Sequence, residues 1–259
     1  MMSEMPTIIR TQKIPQNLQS ILKDTEVWTM MTGAGISAES GVPTFRDAQT
    51  GLWANYHPEE LASPEGFLKD PESVWKWYEH RRSLIAQAKP NEGHECIASL
   101  TNQVGAFHLI TQNVDGLHQQ AGSIDVIELH GNIHRTICFE HGHEVTQWSS
   151  VSPPPPKCPI CSSLLRPGVV WFGEALPDAA MRRAESAAST CEVFFSVGTS
   201  SIVYPAAGLA HAAKHAGAIL IEINPDETPL SNETDFVFRM SASQALAIMD
   251  ACRGQAGRS

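Results

Sequence analysis

The chain has 259 residues, 42% of them hydrophobic, and a formal net charge of -10 at pH 7. That length holds one large domain with insertions or two modest ones, with enough apolar residues for a sizeable core. The acidic balance argues against a nucleic-acid partner, which needs Lys and Arg to displace counterions, and suits a basic partner such as a lysine-rich peptide.

The opening residues, Met1–Gln12, carry no signal-peptide core. Nowhere do ~18 apolar residues run uninterrupted, so a cytoplasmic protein with no membrane partner is expected. The first apolar run, Val27–Met31, reads as a buried strand. Behind it, Gly33, Gly35 and Ala38 stand at the G-x-G-x-x-G/A spacing of a dinucleotide-binding turn. The first glycine allows the tight turn, the second lets backbone approach a pyrophosphate, and a small third residue lets the helix pack close to the sheet. An unusual tail, Gly-Val-Pro-Thr-Phe-Arg-Asp, replaces the rest of an ordinary helix. The acidic ribose ligand expected ~20 residues on is missing, since Glu39 and Asp47 come too early. Dinucleotide binding without ordinary hydride chemistry is the reading. Phe45 has a position from which to cover a nicotinamide or shield a sugar carbon, and Arg46 one from which to meet phosphate, unless both simply pack the loop.

Further runs, Phe107–Ile110, Val126–Leu129, Val193–Val197 and Ile219–Ile223, read as parallel strands, and Asn91–Gln103 and Pro205–Ala216 as helices between them. Ligands gather outside the carboxyl ends of such strands. Gln112, Asn113 and Asp115 fall there, as do His130 and the Gly198-Thr199-Ser200 stretch. Asn113 and Asp115 put an amide and a carboxylate on one turn, a pair suited to a carboxamide, although an Asx turn also explains them. His130 is a general-base candidate, with a near-neutral pKa and Gly131 beside it for close approach. His118 and His134 read as structural.

Two stretches interrupt the pattern. The first is aromatic-rich and helical. The second carries Cys138, Cys158, Cys161 and a stiff Pro153–Pro156 spacer. Cys158-Pro159-Ile160-Cys161 offers two thiolates, and Cys138-Phe139-Glu140-His141, with His143 close by, offers the matching half of a zinc-ribbon-like site. The expected ligands are Cys138, His141, Cys158 and Cys161 around a structural zinc. The fold class is therefore α/β, a Rossmann-like doubly wound parallel sheet with a smaller module. Residues 1–47, 90–134 and 174–252 form the large domain, and 48–89 (helical) with 135–173 (zinc-ribbon-like) form the small one. Residues 253–259 read as a disordered tail.

Taken together, Thr32–Asp47, Thr111–His118, Leu129–Asn132, Cys158–Cys161, Val169–Glu174 and Gly198–Ser200 resemble the sirtuins, NAD-dependent protein lysine deacylases. The match runs in family order from about Thr25 to about Ala247. The resemblance implies that NAD is bound by Gly33, Ala34, Gly35, Ser37, Ala38, Phe45, Arg46 and Gln112. Asn113 and Asp115 hold and twist its nicotinamide, and Gly198, Thr199, Ser200, Asn224 and Ala242 wall its adenosine half. The acyl oxygen displaces nicotinamide from the ribose, His130 activates a ribose hydroxyl, and lysine and O-acyl-ADP-ribose leave. Val169, Val170, Trp171, Phe172 and Gly173 pair with the substrate peptide as an added strand.

Tyr78 and Arg81 lie three apart on a predicted helix, hence on one face, where a phenol and a guanidinium can grip one carboxylate. This Tyr-x-x-Arg, with Ala62 leaving room for a longer chain, resembles the subclass that removes succinyl and malonyl groups, with acetyl also able to enter. The bland alternative packs Tyr78 on Trp75 and leaves Arg81 a solvated helix residue. His141 stands where the family usually has a second zinc cysteine, and Gly168 replaces a bulkier residue before the substrate strand. A sirtuin-like protein ADP-ribosyltransferase and a non-catalytic NAD or ADP-ribose sensor are the competing readings. The oligomeric state is not legible.

Overall fold

The structure is a computed structural model that describes residues 5–43, 56–148 and 154–254. Its centre is a seven-stranded, all-parallel sheet: β1 (Thr7–Ile9), β2 (Val27–Thr32), β3 (Ala106–Thr111), β4 (Ile127–Glu128), β7 (Val193–Val197), β8 (Ile219–Ile223) and β9 (Phe236–Phe238). The spatial order is β1-β9-β8-β7-β2-β3-β4. The period-2 alternation of β2 sorts its side chains onto two cores. Trp28 and Met30 face one layer, with α1 (Gln16–Asp24), α6 (Glu92–Leu100) and α10 (Ala242–Gly254). Met31 faces the other, with α8 (Asp178–Thr190) and α9 (Gly208–His215). Both faces are covered, so strands such as Val193–Val197 are apolar almost throughout. This is the doubly wound α/β fold expected from the sequence.

The strand order reverses beside β2. From β2 the chain builds outward through β3 and β4 on one side, and from β7 through β8 and β9 on the other. The crevice over the carboxyl ends of β2 and β7 is where such sheets bind ligands.

Beside the sheet lie short helices α3 (Pro58–Leu61) and α4 (Pro64–Lys69), then α5 (Pro71–Ile85), and an antiparallel pair, β5 (Gly131–Cys138) with β6 (Leu165–Val169). Asp70 starts α5: its carboxylate accepts the Ser73 N–H at 3.1 Å, and Pro71 follows where a missing N–H costs nothing. Arg82 ties α5 to β5 by donating to the carbonyls of Ile133 (2.6 Å) and Arg135 (3.0 Å).

One expectation needs correction, and two strands are additions. The end of the large domain does not fray at residue 253. Helix α10 runs through Arg253 to Gly254, and Arg253 is buried, donating to the carbonyls of Gln103, Leu22 and Lys23 and pairing with Glu26. Strands β1 and β9 escape sequence reading because each has only three residues, too few for periodicity to show.

Candidate functional site

The turn after β2 is built by contact with the loop after β7. Gly33 N–H donates to Val197 O at 2.9 Å, and Gly35 N–H to Gly198 O at 2.8 Å. A Cβ on Gly33 would lie 2.8 Å from Gly198 O, and one on Gly35 2.7 Å from Gly198 Cα. Gly198 itself has φ +58. Ala34 and Gly35 open helix α2 (Ala34–Ala38) and are exposed toward solvent. Ala38 does not serve as the close-packing residue the spacing suggested. Helix α2 has five residues, its buried side chains are Ile36 and Ser37, and Ala38 faces outward. Phe45 and Arg46 lie outside the described residues.

Ser37 is the hinge pin of the site. Its hydroxyl donates to Asp115 Oδ2 at 2.7 Å and accepts from Asn113 Nδ2 at 3.1 Å. Asn113 Nδ2 also reaches Gly33 O at 3.0 Å, and Asp115 Oδ1 accepts the Leu117 N–H at 2.9 Å. The glycine turn and the Asn113–Asp115 turn, far apart in sequence, are bolted into one wall. The Asx-type bond and the inter-turn contacts coexist on the same carboxylate.

Gln112 donates its amide to Thr199 Oγ1 at 3.0 Å, and Asn224 donates to Thr199 O at 3.0 Å, tying three strand ends together. Thr199 is buried and Ser200 exposed. Ala242 is the buried first residue of α10. Both Glu39 carboxylate oxygens are engaged there, accepting from Ser241 Oγ (3.0 Å) and Ser243 N (3.1 Å).

His130 occupies the turn between β4 and β5. Its Nδ1 lies 2.9 Å from Gln112 O. A carbonyl only accepts, so Nδ1 carries the proton and Nε2 keeps a bare lone pair. Burial holds the imidazole below its ordinary pKa, against the opposing pull of the Gln112 carbonyl, so the ring is neutral at pH 7. That is the protonation state of a general base. Next to it, Gly131 has φ +77, and a Cβ there would sit 2.2 Å from Gly168 O. A Cβ on Gly168 would in turn meet Arg135 Cβ at 2.8 Å, a physical reason for glycine at that position.

Tyr78 and Arg81 share the buried face of α5. Arg81 is buried rather than solvated, and Tyr78 packs against Trp171 rather than Trp75. Ala62, Phe67, Val169 and Trp171 belong to the same apolar cluster as Tyr78. Burial raises the phenol pKa, and the Arg81 charge opposes it; burial lowers the Arg81 pKa, opposed by Tyr78 and Asp115. Of Val169–Gly173, the stretch expected to pair with substrate, only Val169 is strand. Val170 N–H donates to His130 O (2.9 Å), Phe172 N–H to Ala62 O (2.8 Å), Trp171 N–H to Glu174 Oε2 (2.7 Å), and Phe172–Gly173 form a turn.

The metal-ligand group is Cys138, His143 and Cys158, whose ligand atoms lie within 4.8 Å of one another. Cys161 Sγ adds a fourth, 3.4 Å from Cys138 Sγ. His141 is not in the group. Gly142 N–H bonds back to Cys138 O at 2.9 Å, leaving His141 exposed at the turn tip, and the returning chain bridges at Glu144, which brings His143 Nε2 to 3.3 Å from Cys158 Sγ. Burial pushes the Cys158 thiol up, but backbone N–H groups of Cys161 and Ile160 and the His143 ring outweigh it, giving a pKa of about 6. Two sulfurs and an imidazole nitrogen within reach of one another, with the Cys161 sulfur beside Cys138, make a donor set that fits a structural zinc. Cys158→Ser, or exhaustive chelation, is expected to lower the melting temperature by about 10 °C. A chain that loses no stability when its metal content, read by mass spectrometry, falls to zero would exclude this role.

Two imidazoles, His94 and His118, lie against each other in the core with ring centroids 4.9 Å apart and planes tilted by 59°. His118 Nε2 meets Thr32 Oγ1 at 2.9 Å, and burial, then His94, holds its pKa down at about 3. As pH falls through 6.5 the unfolded chain takes up a proton that the folded chain refuses until about 3. Stability is therefore fully present above 6.5 and declines below it, by about 1.4 kcal/mol per pH unit for this histidine. Urea unfolding at pH 7.5 and 5.0 is expected to show this loss, and His118→Gln to flatten it; an unchanged slope in the variant rejects the assignment.

Fold and site together define an α/β enzyme of dinucleotide-binding type, its polar groups gathered at the switch point of the sheet, with a smaller module that carries a Cys/His cluster fit for zinc. The Sir2 family matches residues 33–205 of this chain. A protein of Aquifex aeolicus named NAD-dependent protein deacylase is 54% identical over 217 residues, 83% of this chain and 90% of its own. Among solved structures, a Sir2 homolog–NAD complex superposes with a TM-score of 0.87 at 43% identity, covering 96% of this chain and 97% of that one. A Sir2–p53 peptide–NAD+ complex gives 0.79 at 31%, covering 95% and 100%. This chain belongs to the Sir2 family. Among the described residues no helix is long and apolar enough to cross a membrane.

Proposed function

We propose that this Sir2-family chain, an NAD-dependent protein deacylase, removes succinyl and malonyl groups from lysine side chains, with acetyl-lysine a lesser substrate. The observation that carries the acidic-acyl reading is the Tyr78–Arg81 pair, a phenol and a guanidinium both buried on α5, the phenol in one apolar cluster with Ala62 and Trp171. Arg remains charged even when buried, and in such surroundings its bond to a carboxylate is charge-assisted and strong. NAD supplies the ribose carbon to which the acyl group moves as nicotinamide leaves. Asn113 and Asp115 hold the carboxamide end, and the Ser37 hydroxyl keeps both in register. His130 Nε2 takes the proton of the ribose hydroxyl, while its Nδ1–H stays on Gln112 O and fixes the ring. Cys138, His143, Cys158 and Cys161 would hold a structural zinc that takes no part in the reaction. A lysine-bearing peptide lies along Val169–Gly173, where the N–H groups of Val170, Trp171 and Phe172 already donate within the chain.

The direct test offers acetyl-, malonyl- and succinyl-lysine versions of one peptide, with and without NAD, and follows free lysine and O-acyl-ADP-ribose by mass spectrometry. NAD-dependent removal that favours the acidic groups is expected. Removal of acetyl alone discards the pocket assignment. NAD consumption with ADP-ribose left on protein, or NAD binding without turnover, overturns the deacylase reading.

A further inference from the structure

The acidic-acyl pocket has a second layer, and an inference about it rests on the reading above. We infer that Trp171 is a positioning residue that sets the direction of the Tyr78 phenolic proton and thereby the preference for acyl groups ending in a carboxylate.

An indole N–H only donates, and a phenol oxygen both donates and accepts. Trp171 Nε1 donates to Tyr78 Oη at 2.9 Å, in a contact where both residues are 2% exposed. With an acceptor position of the oxygen filled from the indole side, the O–H is turned away from the indole and offers itself as a donor. A terminal carboxylate accepts that donor, while the methyl of an acetyl group does not. Carboxylate recognition therefore requires the phenol in this orientation, and acetyl recognition is indifferent to it.

The indole is itself held. The Arg166 guanidinium carbon stands 3.4 Å from the Trp171 ring centroid, and the Phe67 ring packs at 5.2 Å. Arg166 is buried and forms an ion pair with Glu174, through Nη1 to Oε1 and through Nη2 to Oε2 at 2.9 Å. The same Glu174 Oε2 accepts the Trp171 backbone N–H at 2.7 Å, and Arg166 Nη2 donates to Val169 O at 2.7 Å. A charged clip across Arg166, Glu174 and Trp171 thus fixes the ring before any ligand arrives, so the phenol is oriented in advance rather than at the moment of binding.

The test is a double-mutant cycle read as the ratio of succinyl to acetyl kcat/KM. Trp171→Phe is expected to lower that ratio about tenfold, the worth of one oriented hydrogen bond, and mainly through KM for the succinyl peptide. In a Tyr78→Phe background the same change is expected to move the ratio no further. Should Trp171→Phe misfold, benzothienylalanine at position 171, with sulfur in place of the N–H at the same ring size, provides the comparison. An unchanged ratio, or an equal fall of the ratio with and without the phenol, overturns the inference. Failure of the parent reading looks different: wild-type enzyme shows no preference for succinyl and Arg81→Met changes nothing on it. A wild-type preference that depends on Arg81 but ignores the indole N–H removes the Trp171 role alone.

Discussion

His130→Ala is expected to lower kcat/KM for an acyl-lysine peptide by about 10²- to 10⁴-fold, the usual range for removing a general base. The melting temperature is expected to stay close to wild type, because the half-buried ring makes one side-chain hydrogen bond, to Gln112 O, and stands in a turn rather than in the sheet. The pH profile supplies a second reading. The base must be neutral, and burial lowers the His130 pKa from 6.5, so the acid limb of kcat/KM is expected to have its midpoint below 6.5 and to be flat through neutral pH. Undiminished turnover in a folded His130→Ala chain would remove His130 from the reaction. An acid limb centred above 6.5 would mean that another group limits the rate.

Arg81→Met is expected to lower succinyl turnover by about 10²-fold relative to acetyl, since truncating one partner of a buried charged pair costs several kcal/mol. Methionine keeps an unbranched apolar side chain of similar length but loses the guanidinium, whose carbon stands 5.9 Å from the Trp77 ring centroid, so lost volume is a small part of the effect. The control is built into the ratio. Arg81 also feels the charge of Asp115, so an equal fall on both substrates would put its role behind the Asn113–Asp115 turn instead of at the acyl group. Peptide kinetics with both acyl groups, at saturating NAD, separate the two outcomes.

Much of the frame was legible from the chain alone. Strands Val193–Val197 and Ile219–Ile223 are found at the residues their apolar runs predict, and the turn after β2 follows directly from its glycines. Local signals suffice there because a buried parallel strand is apolar on both faces and a close backbone contact admits only glycine. Elsewhere local signals fail. Nothing near Ser37 announces that its hydroxyl joins Asn113 to Asp115, since those partners lie 76 and 78 residues away. His141 and His143 are equally good zinc ligands as sequence, and only the closure of the turn at Gly142 turns one inward and leaves the other at the tip.

The Tyr78–Arg81 face shows the same division. The Tyr-x-x-Arg spacing put two side chains on one helical face, a consequence of 3.6 residues per turn that needs no tertiary structure. Whether that face meets water or protein is a different matter, because it depends on what packs against it. Helix α5 turns it onto Ala62, Val169 and Trp171, burying Arg81 and joining the phenol to an indole 93 residues further on. The sequence by itself determined the α/β class, the glycine turn and the family. Tertiary structure alone decided which histidine faces the cysteines, which hydroxyl joins the two turns and which guanidinium is buried. Each of those depends on long-range packing, which places in contact groups that no periodicity relates.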